Sequence, residues 1–431
     1  MLLTTLVPAL SLAAFAHVGA PVDAIDVSTV GTAGRALEAS IGLVWSEAGT
    51  DWRWVCHEAI TSPDAVIVPH YAIAGRRWLA TVPRLSETPA GTEAVRWTDD
   101  GCTWTVSTGL TGHEIPEVAI APAGDIALAV TGDELSETVD ANAILRSSDG
   151  GATFEEVLSV TGMRFTSAVL AQGSAQTAVV GGIASDGQGW VYWSTDWGET
   201  WTGTAVIDGE VRAMALHPTD ADVGYAVLDG VGVESLLRLT DSGATATLVS
   251  DPDGQISDVE VAADGGVWMA FAGQAFLYAA DGINFSLVTA APPGLGLALN
   301  GDTVVLATRF ELVNEALMEG TAADGFVPTF SFFSLDGPLE CPAGTVGADV
   351  CAPLYSVLES SLGLDWDTGE GGGGDDGSSD SEPDDTDGEA PNEAADTSTA
   401  AKDEGCGSGA WLILPFGLWG AGVRRRRPAH H

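Results

Sequence analysis

Residues 194–201 read STDWGETW, and residues 147–154 read SSDGGATF. Both fit the string Ser-x-Asp-x-Gly-x-Thr-aromatic, and each residue type in it has a local task. An Asp carboxylate accepts hydrogen bonds from backbone N–H groups just ahead of it and so folds a tight corner. Gly accepts positive φ without steric cost. The aromatic side chain leaves the corner for a buried layer. Asp149, Gly151, Thr153 and Phe154 fill these places once, and Asp196, Gly198, Thr200 and Trp201 fill them again.

The corner recurs along the chain. WTDDGCTW (97–104) supplies Asp99, Gly101, Thr103 and Trp104, and LTDSGATA (239–246) supplies Asp241, Gly243 and Thr245 without a closing aromatic. Weaker copies are WSEAGTDW (45–52), with Glu47 in the Asp place, AADGINF (279–285) and AADGFVPTF (322–330). The acidic positions 47, 99, 149, 196, 241, 281 and 324 are thus 52, 50, 47, 45, 40 and 43 residues apart. Self-similarity at such a period marks a repeat architecture.

Between corners the chain alternates as strands do. IPEVAIAPAGDIALAV (115–130) reads as strand, turn and strand, and VRAMALHPTDADVGYAVLD (211–229) and ISDVEVAADGGVWMAFAG (256–273) repeat the plan. Each unit therefore holds about four short strands, too small a sheet to bury both its faces alone. Stacking such units around an axis buries them and leaves short edges. The expectation is an all-β chain, a β-propeller of about seven four-stranded blades over residues 21–366, with six or eight left open. The closing aromatics Trp52, Trp104, Phe154, Trp201, Phe285 and Phe330 are expected between neighbouring blades.

These corners resemble Asp-boxes, also called bacterial neuraminidase repeats, which occur in sialidases, sortilin-type receptors and other secreted propellers. The stretch MALHPTDADVGYAVLDG, with the corner at 239, is similar to blades of sortilin-type and photosystem-assembly-type propellers. The resemblance covers roughly residues 25–340. It implies the fold and says little of activity, because Asp-boxes sit away from the ligand face.

The two ends of the chain speak of export. MLLTTLVPALSLAAFAHVGA (1–20) is an apolar run with small-residue cleavage sites at Ala14-Phe15-Ala16 and Val18-Gly19-Ala20, the pattern of a secretory leader without its usual basic start. The alternative is a buried N-terminal strand or helix. Residues 367–405 are rich in Gly, Ser, Asp and Glu, carry 14 acidic side chains against one Lys, and read as a disordered, self-repelling linker. Residues 407–423 are apolar and end in four consecutive Arg, which reads as a short C-terminal helix with its basic end held cytoplasmic. Linker, Gly405-Cys406-Gly407, apolar helix and Arg cluster together resemble the C-terminal sorting signals of myxobacterial-type surface proteins. That resemblance implies modification of Cys406, removal of the tail (406–431) near it, and a place at the cell surface. An ordinary single-span anchor is the alternative.

Of the 431 residues, 61 are acidic and 16 are Lys or Arg, a formal charge of −45. The folded body shares in this excess, so binding to a phosphate backbone is excluded. Among the five cysteines, Cys341 and Cys351 close a short loop and are expected to pair. Cys56 and Cys102 are candidates for a bridge between adjacent units, or for two free thiols.

No catalytic constellation stands out. A sialidase-like enzyme needs three Arg around a substrate carboxylate and a Tyr–Glu pair; the inventory permits this, but the Arg-Ile-Pro stretch expected of that family is absent. No Gly-x-Ser-x-Gly and no His-Glu-x-x-His occurs, and His57, His70, His113 and His217 are scattered. Asp220-Ala-Asp222 and Asp251-Pro-Asp253-Gly are oxygen-rich turns that could hold a structural Ca²⁺; no other cofactor is indicated. The expectation is a surface propeller that binds an extracellular protein, peptide or polysaccharide. The alternatives are a carbohydrate-active enzyme and a purely structural module.

Overall fold

The computed structural model describes residues 22–362, apart from 31–32, 62–68, 83–94, 111–112, 133–140, 230–233, 253 and 272–273. Seven antiparallel sheets of four strands follow one another. They occupy residues 24–55, 70–106, 117–161, 163–208, 210–250, 256–287 and 294–330, here blades 1 to 7. The first strand of each blade packs against the first strand of the next, and that of blade 7 returns to blade 1. The ring is closed, with the first strands innermost.

Burial follows position in the ring. The second strands are enclosed on both faces by neighbouring blades and so read as unbroken apolar runs, such as Ala127–Val130 (ALAV) and Thr303–Thr308 (TVVLAT). The fourth strands form the rim and are polar and exposed, as in Thr202–Asp208 and Thr245–Ser250. Five core clusters each join two neighbouring blades, and the sixth joins blades 7, 1 and 2 with the closing segment. Leu79 of blade 2 packs with Val118, Ala129 and Phe154 of blade 3, and Leu128 of blade 3 with Phe165 and Val180 of blade 4. The closing aromatics lie in these seams as expected.

Every repeated corner joins the third strand of its blade to the fourth. At Asp149, Oδ1 accepts from the Ser147 hydroxyl at 2.7 Å and the Thr153 N–H at 2.9 Å, while Oδ2 accepts from the Thr153 hydroxyl at 2.7 Å. Asp196 repeats this with Ser194 and Thr200 at 2.7, 2.9 and 2.6 Å. Partial burial opposes ionisation of both, but these hydrogen bonds outweigh it and hold their carboxyls below the usual range. Gly101, Gly151, Gly198 and Gly243 all have positive φ. An added Cβ at Gly151 would stand 2.4 Å from Leu79 of the preceding blade, so this residue seats the corner against its neighbour. Asp241 keeps only the Thr245 hydroxyl, at 3.1 Å, because Leu239 replaces the capping Ser.

One corner corrects the sequence reading. In blade 2 the capping carboxylate is Asp100, not Asp99. Asp100 accepts from the Thr98 hydroxyl at 3.0 Å and from the N–H groups of Cys102 at 2.8 Å and Thr103 at 2.9 Å. The corner is one residue shorter, so Thr98 takes the Ser place and Asp99 turns outward. There it pairs with Arg77, 2.7 Å away, whose guanidinium lies over Trp97 at 4.3 Å. Asp100→Ala is therefore expected to cost about 1 kcal/mol or more, as loss of a cap does. Asp99→Ala removes a surface ion pair worth under about 1 kcal/mol. Urea melts of the two variants check this, and equal losses would contradict the assignment.

The cysteine pairing also differs from expectation. The bridges are Cys56–Cys351 and Cys102–Cys341, not Cys341–Cys351 and Cys56–Cys102. The reason lies in how the ring is closed. All seven blades are built from consecutive strands, so no strand from one terminus completes a blade begun at the other. Blade 1 meets blade 7 through side chains: the Thr29 hydroxyl donates to the Leu299 carbonyl at 2.9 Å, Arg35 grips both oxygens of Glu319 at 3.1 Å, and Trp52 stacks on Phe330 at 4.2 Å. Residues 331–362 then run back over the rim of blades 1 and 2. Residues 336–339 lie alongside the fourth strand of blade 1, with Trp54 N–H to the Gly337 carbonyl at 3.0 Å and Leu339 N–H to the Trp54 carbonyl at 2.9 Å. The helix Ala352–Ser361 follows. This return path carries Cys341 to Cys102 and Cys351 to Cys56. It also explains why the fourth strand of blade 1, Arg53–Val55, is buried where other rim strands are exposed.

The leader (1–20), the acidic linker (367–405), Cys406 and the apolar stretch 407–423 lie outside the described residues. Among the described residues no helix is long and apolar enough to cross a membrane.

Candidate functional site

The inner strands set the site. In five of them a register shift bulges the strand, between Ala24/Asp26, Phe165/Ser167, Ala213/Ala215, Ile256/Asp258 and Gly294/Gly296. A bulge re-aims the side chains next to it. Asp26 and Asp258 occupy the same place just after the bulge in blades 1 and 6, each folding Oδ1 onto the following N–H at 2.7 Å.

Around Asp26 the charges of several blades meet. Glu38, on the second strand of blade 1, is its direct cross-strand partner. Both carboxyls are pushed up chiefly by loss of hydration, Asp26 to about 6 and Glu38 well above its ordinary range, where the charge of Asp26 adds to the effect. Asp258 and Glu260 of blade 6 are raised by the same desolvation and next by the charge of Asp26, Glu260 to about 8. Glu117, which begins the inner strand of blade 3, is raised by burial to about 7. His70, first residue of the inner strand of blade 2, acts on Asp26 and Glu117 in the opposite, lowering sense. Asp26, His70, Glu117, Asp258 and Glu260 all lie on the innermost strands of blades 1, 2, 3 and 6, the strands that surround the central channel. Asp26 is nevertheless exposed, so water reaches it within walls that strip much of its hydration shell.

Two polar atoms at this wall lack hydrogen bonds. Glu38 is only 5% exposed, and its Oε2 accepts from the Tyr71 N–H at 3.4 Å. Its Oε1 is buried without a hydrogen bond, 3.5 Å from Nδ1 of His70, whose side chain is 58% exposed. The Tyr71 hydroxyl is likewise buried without a partner, beside the charges of Glu38 and Glu58. On the opposite arc the charges are matched: Arg164 pairs with Glu210 at 2.5 Å, and Arg212 with Glu234 at 2.9 Å.

The residues singled out in the sequence lie elsewhere. Asp99, Asp149, Asp196 and Asp241 are at rim corners, and the disulfides are in the closing segment. Arg35, Arg53, Arg77, Arg146, Arg164, Arg212 and Arg309 each meet a carboxylate of their own, in different parts of the ring. Asp222 accepts from the Ser242 hydroxyl at 2.6 Å and Asp251 from the Ser235 hydroxyl at 3.0 Å; Asp253 lies outside the described residues. Among the described residues no group of three or more His, Cys, Asp or Glu is placed to hold a metal ion. The channel carboxyls went unremarked in the sequence, although acidic residues in IPEVAI and ISDVEV break runs that an inner strand would otherwise keep apolar.

No protein-family model matches this chain, and no curated protein does. Solved structures do. The chain is similar to YCF48 from Cyanidioschyzon merolae, at 13% identity over 66% of this chain and 92% of that one, with a TM-score of 0.44. It is similar to a Niastella koreensis GH74 enzyme, at 18% identity over 68% of this chain and 42% of that one, with a TM-score of 0.40. It is also similar to a Mycobacterium tuberculosis puromycin-hydrolyzing peptidase, at 10% identity over 74% of this chain and 55% of that one, with a TM-score of 0.49.

Proposed function

We propose that this chain is an exported β-propeller, held at the cell surface by its C-terminal segment, whose central channel binds an extracellular protein, peptide or polysaccharide. The observation that supports the binding site is the placing of Asp26, Glu117, Asp258 and Glu260 on the innermost strands of blades 1, 3 and 6, with Glu38 directly across from Asp26. Such groups weaken a fold when left facing one another, and perturbed carboxyls in a concavity mark functional sites. The apolar leader, the acidic linker and the Gly-Cys-Gly and Arg-cluster tail support the location.

The test has two arms. Mass spectrometry of the mature protein is expected to show cleavage after Ala16 or Ala20 and a modified or trimmed C-terminus near Cys406; an intact, cytoplasmic chain overturns the location. Glycan and peptide arrays probed with the mature chain are expected to give ligands whose capture falls about tenfold in the Glu117→Gln variant. Ligands indifferent to that change place binding outside the channel.

A glycoside hydrolase is the second reading. Carboxyls held protonated near neutral pH are the proton donors that such chemistry uses. Hydrolysis of an aryl glycoside, abolished by Glu117→Gln or Glu260→Gln, would favour it over simple binding.

A further inference from the structure

We infer that the two disulfides differ in kind: Cys102–Cys341 is a thiol–disulfide exchange site, open to a dithiol reductant while the protein stays folded, and Cys56–Cys351 is a sealed bridge. The inference goes beyond the binding reading above and does not depend on what the channel holds. Of the four bridged cysteines Cys341 alone is not buried; Cys56, Cys102 and Cys351 are. Pro342, Ala343, Gly344 and Val346, which follow it, are exposed. The residue that crosses this bridge is a glycine: an added Cβ at Gly347 would stand 2.7 Å from Cys341 Sγ. Cys56 and Cys351 instead belong to one core cluster with Trp54, Ile60, Leu358 and Leu362. Local opening takes least free energy where few apolar contacts are broken, so the two bridges open to a reagent at different rates.

The loop between Leu339 and Cys351 is anchored at both ends without the outer bridge. Before it, the Trp54 N–H donates to the Gly337 carbonyl at 3.0 Å, the Leu339 N–H to the Trp54 carbonyl at 2.9 Å and the Arg53 guanidinium to the Asp336 carbonyl at 3.0 Å. After it, the Cys56–Cys351 bridge pins the start of the helix Ala352–Ser361, and the Tyr355 hydroxyl donates to the Leu335 carbonyl at 3.2 Å. Between these anchors the loop is tied to blade 2 by the Cys102–Cys341 bridge and by the Gly347 N–H, which donates to the Cys102 carbonyl at 3.1 Å. Breaking that bridge therefore frees a short loop and uncovers the corner of blade 2 at Cys102, with the ring still closed. In the exchange a thiolate of the dithiol attacks Cys341 Sγ, the bond to Cys102 Sγ breaks, and Cys102 leaves as a thiolate that takes up a proton. The second thiol of the reductant gives up its proton and attacks the mixed disulfide. Cys341 leaves as a thiolate, is protonated, and the reductant closes its own disulfide. Two electrons have then passed from the dithiol to the two cysteines.

Treating the folded mature chain with dithiothreitol, quenching by alkylation at intervals and mapping the peptides tests this. Cys102 and Cys341 are expected to become alkylated at least about tenfold faster than Cys56 and Cys351. While only the first pair is labelled, proteinase K is expected to cut within residues 342–350 and to leave the blades intact, whereas the oxidised chain resists it. The Cys102→Ser/Cys341→Ser chain is cut in the same loop without reductant, and its remaining bridge still resists dithiothreitol. Equal rates for the two pairs, reduction only in denaturant that unfolds the chain, or earlier reduction of Cys56–Cys351 overturns the inference. So does a loop that stays uncut once Cys102 and Cys341 are free thiols.

Discussion

Replacing Cys56 and Cys351 by Ser lowers the stability of the propeller by about 3–4 kcal/mol, the scale expected when a loop-closing cross-link is removed. The bridge spans 295 residues, of which the nested Cys102–Cys341 bridge already closes 239, so its own loop is the remaining 56 (295 − 239) and that closure entropy is what the unfolded chain regains. The native state also depends on this point more than most propellers would. No strand is shared between the first and last blades, and the return segment is held by the two bridges and by packing of Leu358 and Leu362 with Trp54 and Ile60. Once the Cys56–Cys351 bridge is gone, residues 342–362 are held by packing alone, and their fraying uncovers Trp54. Guanidinium melts of the Cys56→Ser/Cys351→Ser chain, followed by tryptophan fluorescence, read the loss. A midpoint unchanged by the substitutions would mean that side-chain packing alone closes the ring.

Stability is expected to fall as pH rises from about 5 to about 8, by on the order of 2 kcal/mol. The sign follows from the channel. Asp26, Glu117 and Glu260 titrate in the folded chain at about 6, 7 and 8, above the range near 4 that they keep when unfolded. The native state therefore holds more protons than the unfolded state between these limits, and raising the pH through that window favours unfolding. Full conversion of the shifts would give more, but water reaches the wall and screens the repulsion. Below pH 4 the slope reverses. The corner carboxylates Asp100, Asp149 and Asp196 are held below their ordinary range, so their hydrogen bonds contribute less as they protonate. Calorimetric Tm against pH is thus a dome with its top near pH 5, and Asp258→Asn/Glu260→Gln flattens its alkaline side. A Tm that climbs steadily to pH 8 would contradict the channel electrostatics.

Much of this was legible in the residues because it is local or periodic. A corner built from Ser147, Asp149, Gly151 and Thr153 closes on itself within seven residues, so its geometry is written in the string. Seven spaced copies with strand-like alternation between them leave a ring as the way to bury both faces of each sheet. The corner of blade 2 shows the limit even there. A deletion of one residue moved the cap from Asp99 to Asp100, and adjacent identical side chains hid it.

What the sequence alone determined was the blade and its order, with a number of about seven that the closed ring then fixed, since blade and order depend on hydrogen bonds and burial within about fifty residues. Tertiary structure decided which cysteines met and which acids faced one another. Cys56 found Cys351, and Asp26 came to influence Asp258 and Glu260, across separations of more than two hundred residues. Such meetings depend on where the ring closes and how its inner strands bulge. No local pattern encodes that, because the energy that fixes it arises only when all seven blades are in place.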